Sequence, residues 1–220
     1  MSAAGTARAA GFTLRLPESW VEFDVWRATR TADLARLVDA RIAVLPELAA
    51  RRRALLRALR EVAARAERQG AVFCAAMADS VPDAGLLTAT LIVFQTEPAS
   101  EPERDSVAAI AGQVSAVAPT EGSLYWRRVE VVDLRVGRAV RVAGVEVADV
   151  GGRAPVPGVV MQTLVPVPGG QGVLNAVLTS PMVDLAEAML DLFDAITETL
   201  AWAPSPDTMT QAQPTPEAKE

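Results

Sequence analysis

The chain has 220 residues, enough for one domain that buries a sizeable core without a disulfide or metal staple. It has no histidine and one cysteine, Cys74, which excludes Ser-His-Asp and Cys-His triads, His-ligated zinc or haem, and Cys-pair redox motifs. A net charge of −6 argues against a non-specific nucleic-acid binder, whose affinity comes from a cationic surface.

Residues 1–10 read as a flexible N-terminus without the apolar run of roughly 7–15 residues that a secretory signal needs. No charge-free apolar stretch of about 18 residues follows, so no membrane span is expected. With a single cysteine, the expected location is the cytoplasm. Phe12 to Leu16 alternates apolar with polar, the period-two mark of a half-buried strand, and Pro17 stops it. Val21 to Trp26 alternates again.

Thr31 can cap a helix that begins at Ala32 and presents Leu34, Leu37, Val38, Ile42 and Leu45 at helical spacing. Pro46 fits the first turn of a longer helix running to Gln69, with Gly70 as its C-terminal stop. Its apolar stripe is Leu48, Leu55, Leu56, Leu59, Val62, Ala63 and Ala66, and its outer face carries Arg51, Arg52, Arg53, Arg57, Arg60, Arg65 and Arg68. Ala71 to Ala78 and Leu86 to Gln95 are β-prone runs around the turn Pro82 to Gly85. Glu103 to Val117 fits a third helix. Tyr125 to Leu134 and Ala139 to Val147 read as a hairpin, and Gly151 to Pro157 as a flexible connection. Val159 to Val167 and Val173 to Thr179 form another hairpin across Gly169 to Gly172. A last helix runs from about Pro181 to Leu200, and residues 203–220 read as a disordered, proline-containing tail.

Hairpins bracketed by helices make this an α+β chain: one antiparallel sheet of about six strands, flanked by helices, in a single domain over 11–202.

Few residues point to chemistry. Asp184, Glu187, Asp191, Asp194 and Glu198 recur at steps of three and four, a carboxylate stripe along the last helix. It reads as a solvated face or a docking strip for a basic partner. Arg53, Arg57 and Arg60 on the second helix read as a solvent face or a docking face for an acidic partner. Cys74 lies in an apolar run and reads as a core residue. Glu18 with Glu22, or Asp79 with Asp83, would serve acid–base work only with one carboxylate desolvated. The Gly169 to Gly172 segment joins two strands, so it lacks the strand-to-helix geometry of a phosphate loop. Trp20 and Trp202 are expected in or beside the core, whereas Trp26 and Trp126 flank strands and can line a groove. No catalytic residue, cofactor or metal is expected.

Three segments together resemble PsbP-like (Mog/PsbP) α-β-α sandwich domains. Phe12 to Trp20 is similar to their opening strand and LPxxW turn, and Gly137 to Arg141 to the return strand of their middle hairpin. Val160 to Pro168, Leu178 to Pro181 and Phe193 to Trp202 resemble their closing hairpin and C-terminal helix. The helical segment 28–69 is longer than that pattern. The resemblance implies a scaffold that binds other proteins, in settings that include secretion-effector chaperones, and that carries no catalytic constellation.

The expectation is a non-enzymatic protein-binding or chaperone-like accessory factor in a bacterial secretion or assembly system. The alternative is a small-molecule carrier with an apolar pocket between sheet and helices.

Overall fold

The computed structural model describes residues 11–27, 30–81, 85–117, 126–148 and 156–203. Expectations for residues 1–10, for most of the 203–220 tail and for the turn at 82–84 lie outside the described residues. In chain order the strands are β1 (Phe12–Thr13), β2 (Trp20–Glu22), β3 (Ala71–Val81), β4 (Gly85–Gln95), β5 (Arg127–Leu134), β6 (Gly137–Ala148), β7 (Val156–Pro166), β8 (Val173–Ser180) and β9 (Ala201–Trp202). The α-helices are α1 (Arg30–Val44), α2 (Arg52–Arg68), α3 (Val107–Ala116) and α4 (Ala186–Glu198).

Seven strands form one sheet in the order β2-β3-β4-β8-β7-β6-β5, every neighbour antiparallel. The sheet is larger than the six strands expected from sequence, but the α+β class is as read. The β3–β4 hairpin and the β5–β8 meander account for most of it. The long-range step is β4 on β8, which sets Leu91 opposite Leu178 and Val93 opposite Ala176. Separately, β1 pairs with β9, Phe12 opposite Trp202, and ties the two ends of the described chain together.

Alternation along the strands assigns the two faces. Leu91, Val93, Leu174, Ala176 and Leu178 point to one face and pack with Met189, Leu190, Phe193 and Ile196 of α4. Phe193 is completely buried there. Each such side chain contributes about 1.5–3 kcal/mol relative to exposure, so α4 is held by its apolar stripe rather than by helix propensity. The opposite face carries two separate clusters. Leu34 of α1 and Ala63 and Ala66 of α2 pack on Cys74 at the β3 end, and Ile110 of α3 packs on Val140 and Val173 at the other end. The layers are therefore α-β-α, with the second helical layer split in two.

Several boundaries differ from the sequence reading, each for a local reason. Pro46 to Arg51 is a 3-10 turn, which separates α1 from α2 instead of starting one long helix. Arg52 then clamps the joint by donating two hydrogen bonds to Asp39, at 2.6 and 2.8 Å, which hold the Asp39 carboxyl below its ordinary range. The third helix begins at Val107, because Ser106 Oγ accepts the Ala109 N–H as an N-cap, and Pro102 to Asp105 form a 3-10 turn before it. The last helix starts at Ala186 after a 3-10 turn over Val183–Leu185 and stops at Glu198, which frees Ala201 and Trp202 for β9. Val156 and Pro157, read as part of a connection, open β7. There β7 has β6 on one side only, since its pairing with β8 begins at Val159, so the missing proline N–H costs no interior ladder bond. None of the described helices is long and apolar enough to cross a membrane.

Gly144 of β6 lies where the backbone of residue 126 crosses closely: a Cβ there would stand 2.1 Å from the Trp126 carbonyl oxygen. Gly144→Ala is expected to destabilise the fold by about 1–3 kcal/mol, read as a lower urea midpoint at unchanged slope.

Candidate functional site

Between the α1–α2 hairpin and the middle of the sheet runs a trough of about 410 Å3. Its walls are Leu37, Val38 and Arg41 of α1 and Leu55, Ala58, Leu59, Val62 and Arg65 of α2. Ala76 and Ala78 of β3, Thr88 and Thr90 of β4, Val160 of β7 and Thr179 of β8 form the floor, and Glu146 stands at the β6 side. The gap exists because α1–α2 and α3 cover opposite ends of the same sheet face.

The hydroxyls of Thr90, Thr179 and Ser180 on the floor are already engaged. Thr90 Oγ1 and Thr179 Oγ1 share a hydrogen bond of 2.7 Å across the β4–β8 seam, and Ser180 Oγ donates to the Thr88 carbonyl at 2.8 Å. Arg41 Nε donates to the Ala78 carbonyl at 2.5 Å, and its Nη2 lies 3.0 Å from the Asp79 carboxylate. An occupant therefore leaves none of these groups stranded, and a trough of this size fits the lower range of small-molecule sites.

A second depression of about 350 Å3 lies between Glu22–Trp26 and Ala71–Cys74. Trp26 stands 61% exposed beside it, its Nε1 donating to the Ala71 carbonyl at 2.8 Å. Cys74 is buried beneath, and burial, with the negative charge of Asp24, pushes its thiol pKa up to about 12. Nucleophilic sulfur chemistry needs the thiolate, which this environment opposes.

The residues singled out from sequence do not gather at the trough. Arg53, Arg57 and Arg60 are exposed and line neither depression. Asp184, Glu187, Asp191 and Glu198 are exposed on the far side of the sheet, around α4. Asp184 belongs to the 3-10 turn, so the carboxylates do not form one continuous helical stripe. Asp194 is not available for docking in the expected way: it lies 2.5 Å from Nη1 of Arg141, a β6 residue only 6% exposed, whose Nη2 also donates to Thr197 at 3.1 Å. Of the two carboxylate pairs considered, Glu18 and Glu22 are both exposed, Asp79 is held by Arg41, and Asp83 lies outside the described residues. Trp20 is buried, Trp202 packs beside the core, and Trp126 is 44% exposed.

Leu37, Val38, Leu55, Leu59 and Val62 belong to the apolar stripes of the two helices; Val38 is buried, and Leu37, Leu59 and Val62 pack on the Cys74 cluster as well as bordering the trough. One signal of the trough is present in the sequence: the apolar stripe of α2 is wider than a single packing contact needs, with Ala63 and Ala66 turned to β3 while Leu55 and Ala58 face the gap.

No protein-family model matches the chain, and no curated protein sequence does. Among solved structures it is similar to LpqN of Mycobacterium tuberculosis, described as involved in cell envelope biogenesis. That likeness has 11% identity and a TM-score of 0.47, covering 91% of this chain and 87% of that one. It is also similar to CalU16 from Micromonospora echinospora at 17% identity and a TM-score of 0.21, covering 61% of this chain and 87% of that one. Both scores fall below the similarity at which a common fold follows.

Two outcomes follow from the buried groups. Asp194→Ala strands the Arg141 guanidinium and is expected to cost on the order of 2–3 kcal/mol, less than a wholly buried pair because Asp194 is 41% exposed. Asp191→Ala on the same helix is expected to stay within about 0.5 kcal/mol, and chemical denaturation of the two variants separates them. Cys74 is expected to resist a maleimide at pH 8 in the native protein and to react in urea, read as a mass shift.

Proposed function

We propose that the protein is a non-enzymatic accessory protein that holds an apolar ligand in the trough between α1–α2 and the sheet. The observation that carries this reading is the trough itself, walled by Leu37, Val38, Leu55, Leu59 and Val62 over a floor on which the Thr90, Thr179 and Ser180 hydroxyls are bonded within the protein. The occupant gains by leaving water, and the protein gives up no hydrogen bond to admit it. The lack of histidine and the buried, thiol-stabilising surroundings of Cys74 support a binding role over a catalytic one. The PsbP-like resemblance of the sequence supports the same choice, and we place the protein in that sandwich class and in the cytoplasm as part of this reading.

A second reading, capture of a partner protein in a secretion or assembly system, is favoured by the exposed Arg53, Arg57 and Arg60 on the same helix that walls the trough. That row can meet an acidic partner, and such contacts act mainly on encounter rate and specificity.

Titration with a neutral solvatochromic dye such as Nile red separates the two. Wild type is expected to bind saturably. Leu55→Asp, which puts a charge into the trough wall, is expected to weaken binding by about tenfold or more with the circular dichroism spectrum unchanged. Reversal of Arg53, Arg57 and Arg60 to Glu is expected to leave dye affinity as it was. Equal dye binding by wild type and Leu55→Asp would remove the trough as the ligand site.

A further inference from the structure

At the end of the sheet farthest from α1–α2, β5 is an edge strand: among the described residues it pairs with β6 alone. Natural edges are commonly blunted by a proline, a bulge or a run of like charge. Over Arg127–Leu134 there is no proline, and the ladder with β6 runs without a register shift. The charges at 128 and 130 are of opposite sign.

Backbone direction along this edge is fixed by one bond. Val145 N–H donates to the Trp126 carbonyl at 3.0 Å, so residue 126 faces β6. By the alternation of an antiparallel ladder, Arg127, Val129 and Val131 turn their N–H and C=O groups outward.

We propose that this edge binds a second copy of the chain, the two β5 strands pairing antiparallel about a two-fold axis at Val129 and continuing the sheet from one copy into the other. In this register the outward groups of Val129 pair with themselves across the axis, and those of Arg127 with those of Val131. Arg128, with its side chain 61% exposed, comes opposite Glu130 of the other copy, and the symmetry repeats the pair. Trp126 and Val131, exposed at 44% and 43%, come opposite Val132 and Arg127 and lose water. Centring the axis on Glu130 instead would set two carboxylates face to face, which is unfavourable in a ladder. The edge is thus self-complementary in one register, in charge as well as in backbone hydrogen bonding.

The test is the molar mass of the full chain by light scattering and sedimentation across the micromolar range. Wild type is expected to dimerise. Arg128→Lys keeps the charge and is expected to dimerise like wild type. Arg128→Glu brings two carboxylates together at each end of the pairing and is expected to raise the dimer dissociation constant about tenfold or more. Val129→Pro removes an outward N–H that β6 does not use and is expected to give a folded monomer. Thermal melts confirm folding, and should Val129→Pro fail to fold, the Arg128 pair of variants decides alone. A monomeric wild type, or an Arg128→Glu variant that dimerises as tightly as wild type, would overturn the proposal.

Discussion

The rest of the structure depends on the pairing of β4 with β8. It joins Thr90–Gln95 to Leu174–Thr179, segments about eighty residues apart, and without it the chain would be a three-stranded sheet and a four-stranded meander with no common core. Closing so long a loop costs entropy that the ladder must return through burial. The return comes from one face of the seam, where Leu91, Val93, Ala176 and Leu178 pack against Phe193 and its neighbours on α4. The other face of the same seam carries Thr90 and Thr179, bonded to each other. One ladder therefore makes the driest part of the molecule on one side and the floor of a trough on the other.

The two helical layers differ in where they sit. α4 lies over the middle of the sheet and is fixed there by apolar burial and by Asp194 and Thr197 reaching Arg141 on β6. A guanidinium with so little access to water is costly to desolvate, so the contact adds less to stability than to fixing one position of the helix on the sheet, a specificity argument rather than an energetic one. On the opposite face the helices take the ends. The α1–α2 pair is held together by Arg30 to Glu67 at one end and Arg52 to Asp39 at the other, and it packs on β3 and β4. α3 packs on β5 to β8. The trough is the space they leave between them.

On the proposed reading the molecule works through shape. Thr90 and Thr179 bond each other on the floor, Arg41 pairs with Asp79, and the one thiol is driven toward the neutral form by burial. Groups so engaged make a wall for an apolar occupant and a poor set of acids, bases or nucleophiles. The outer edge of β5 is the opposite kind of surface, with backbone donors and acceptors directed away from β6 and charges of both signs. Packing explains the first, and interrupted hydrogen bonding the second.

Local pattern was enough to determine the strands from β3 to β8, the helical character of 30–68 and 186–198, and the α+β class, because period two and period 3.6 are written into neighbouring residues. It also told which residues prefer to leave water. It did not tell what each would meet. Leu55 carries the same apolar signal as Ala63 and Ala66, yet it faces a gap and they face a strand. Asp194 carries the same signal as Asp191, yet only Asp194 has Arg141 beneath it, from a strand some fifty residues earlier. The strand read over Phe12 to Leu16 keeps only Phe12–Thr13, β9 had no pattern long enough to read, and the two exist because each finds the other across the whole length of the domain. Periodicity is a property of the local chain and was legible; the trough, the Arg141 pair and the strand order come from contacts between distant segments, which only folding brings together.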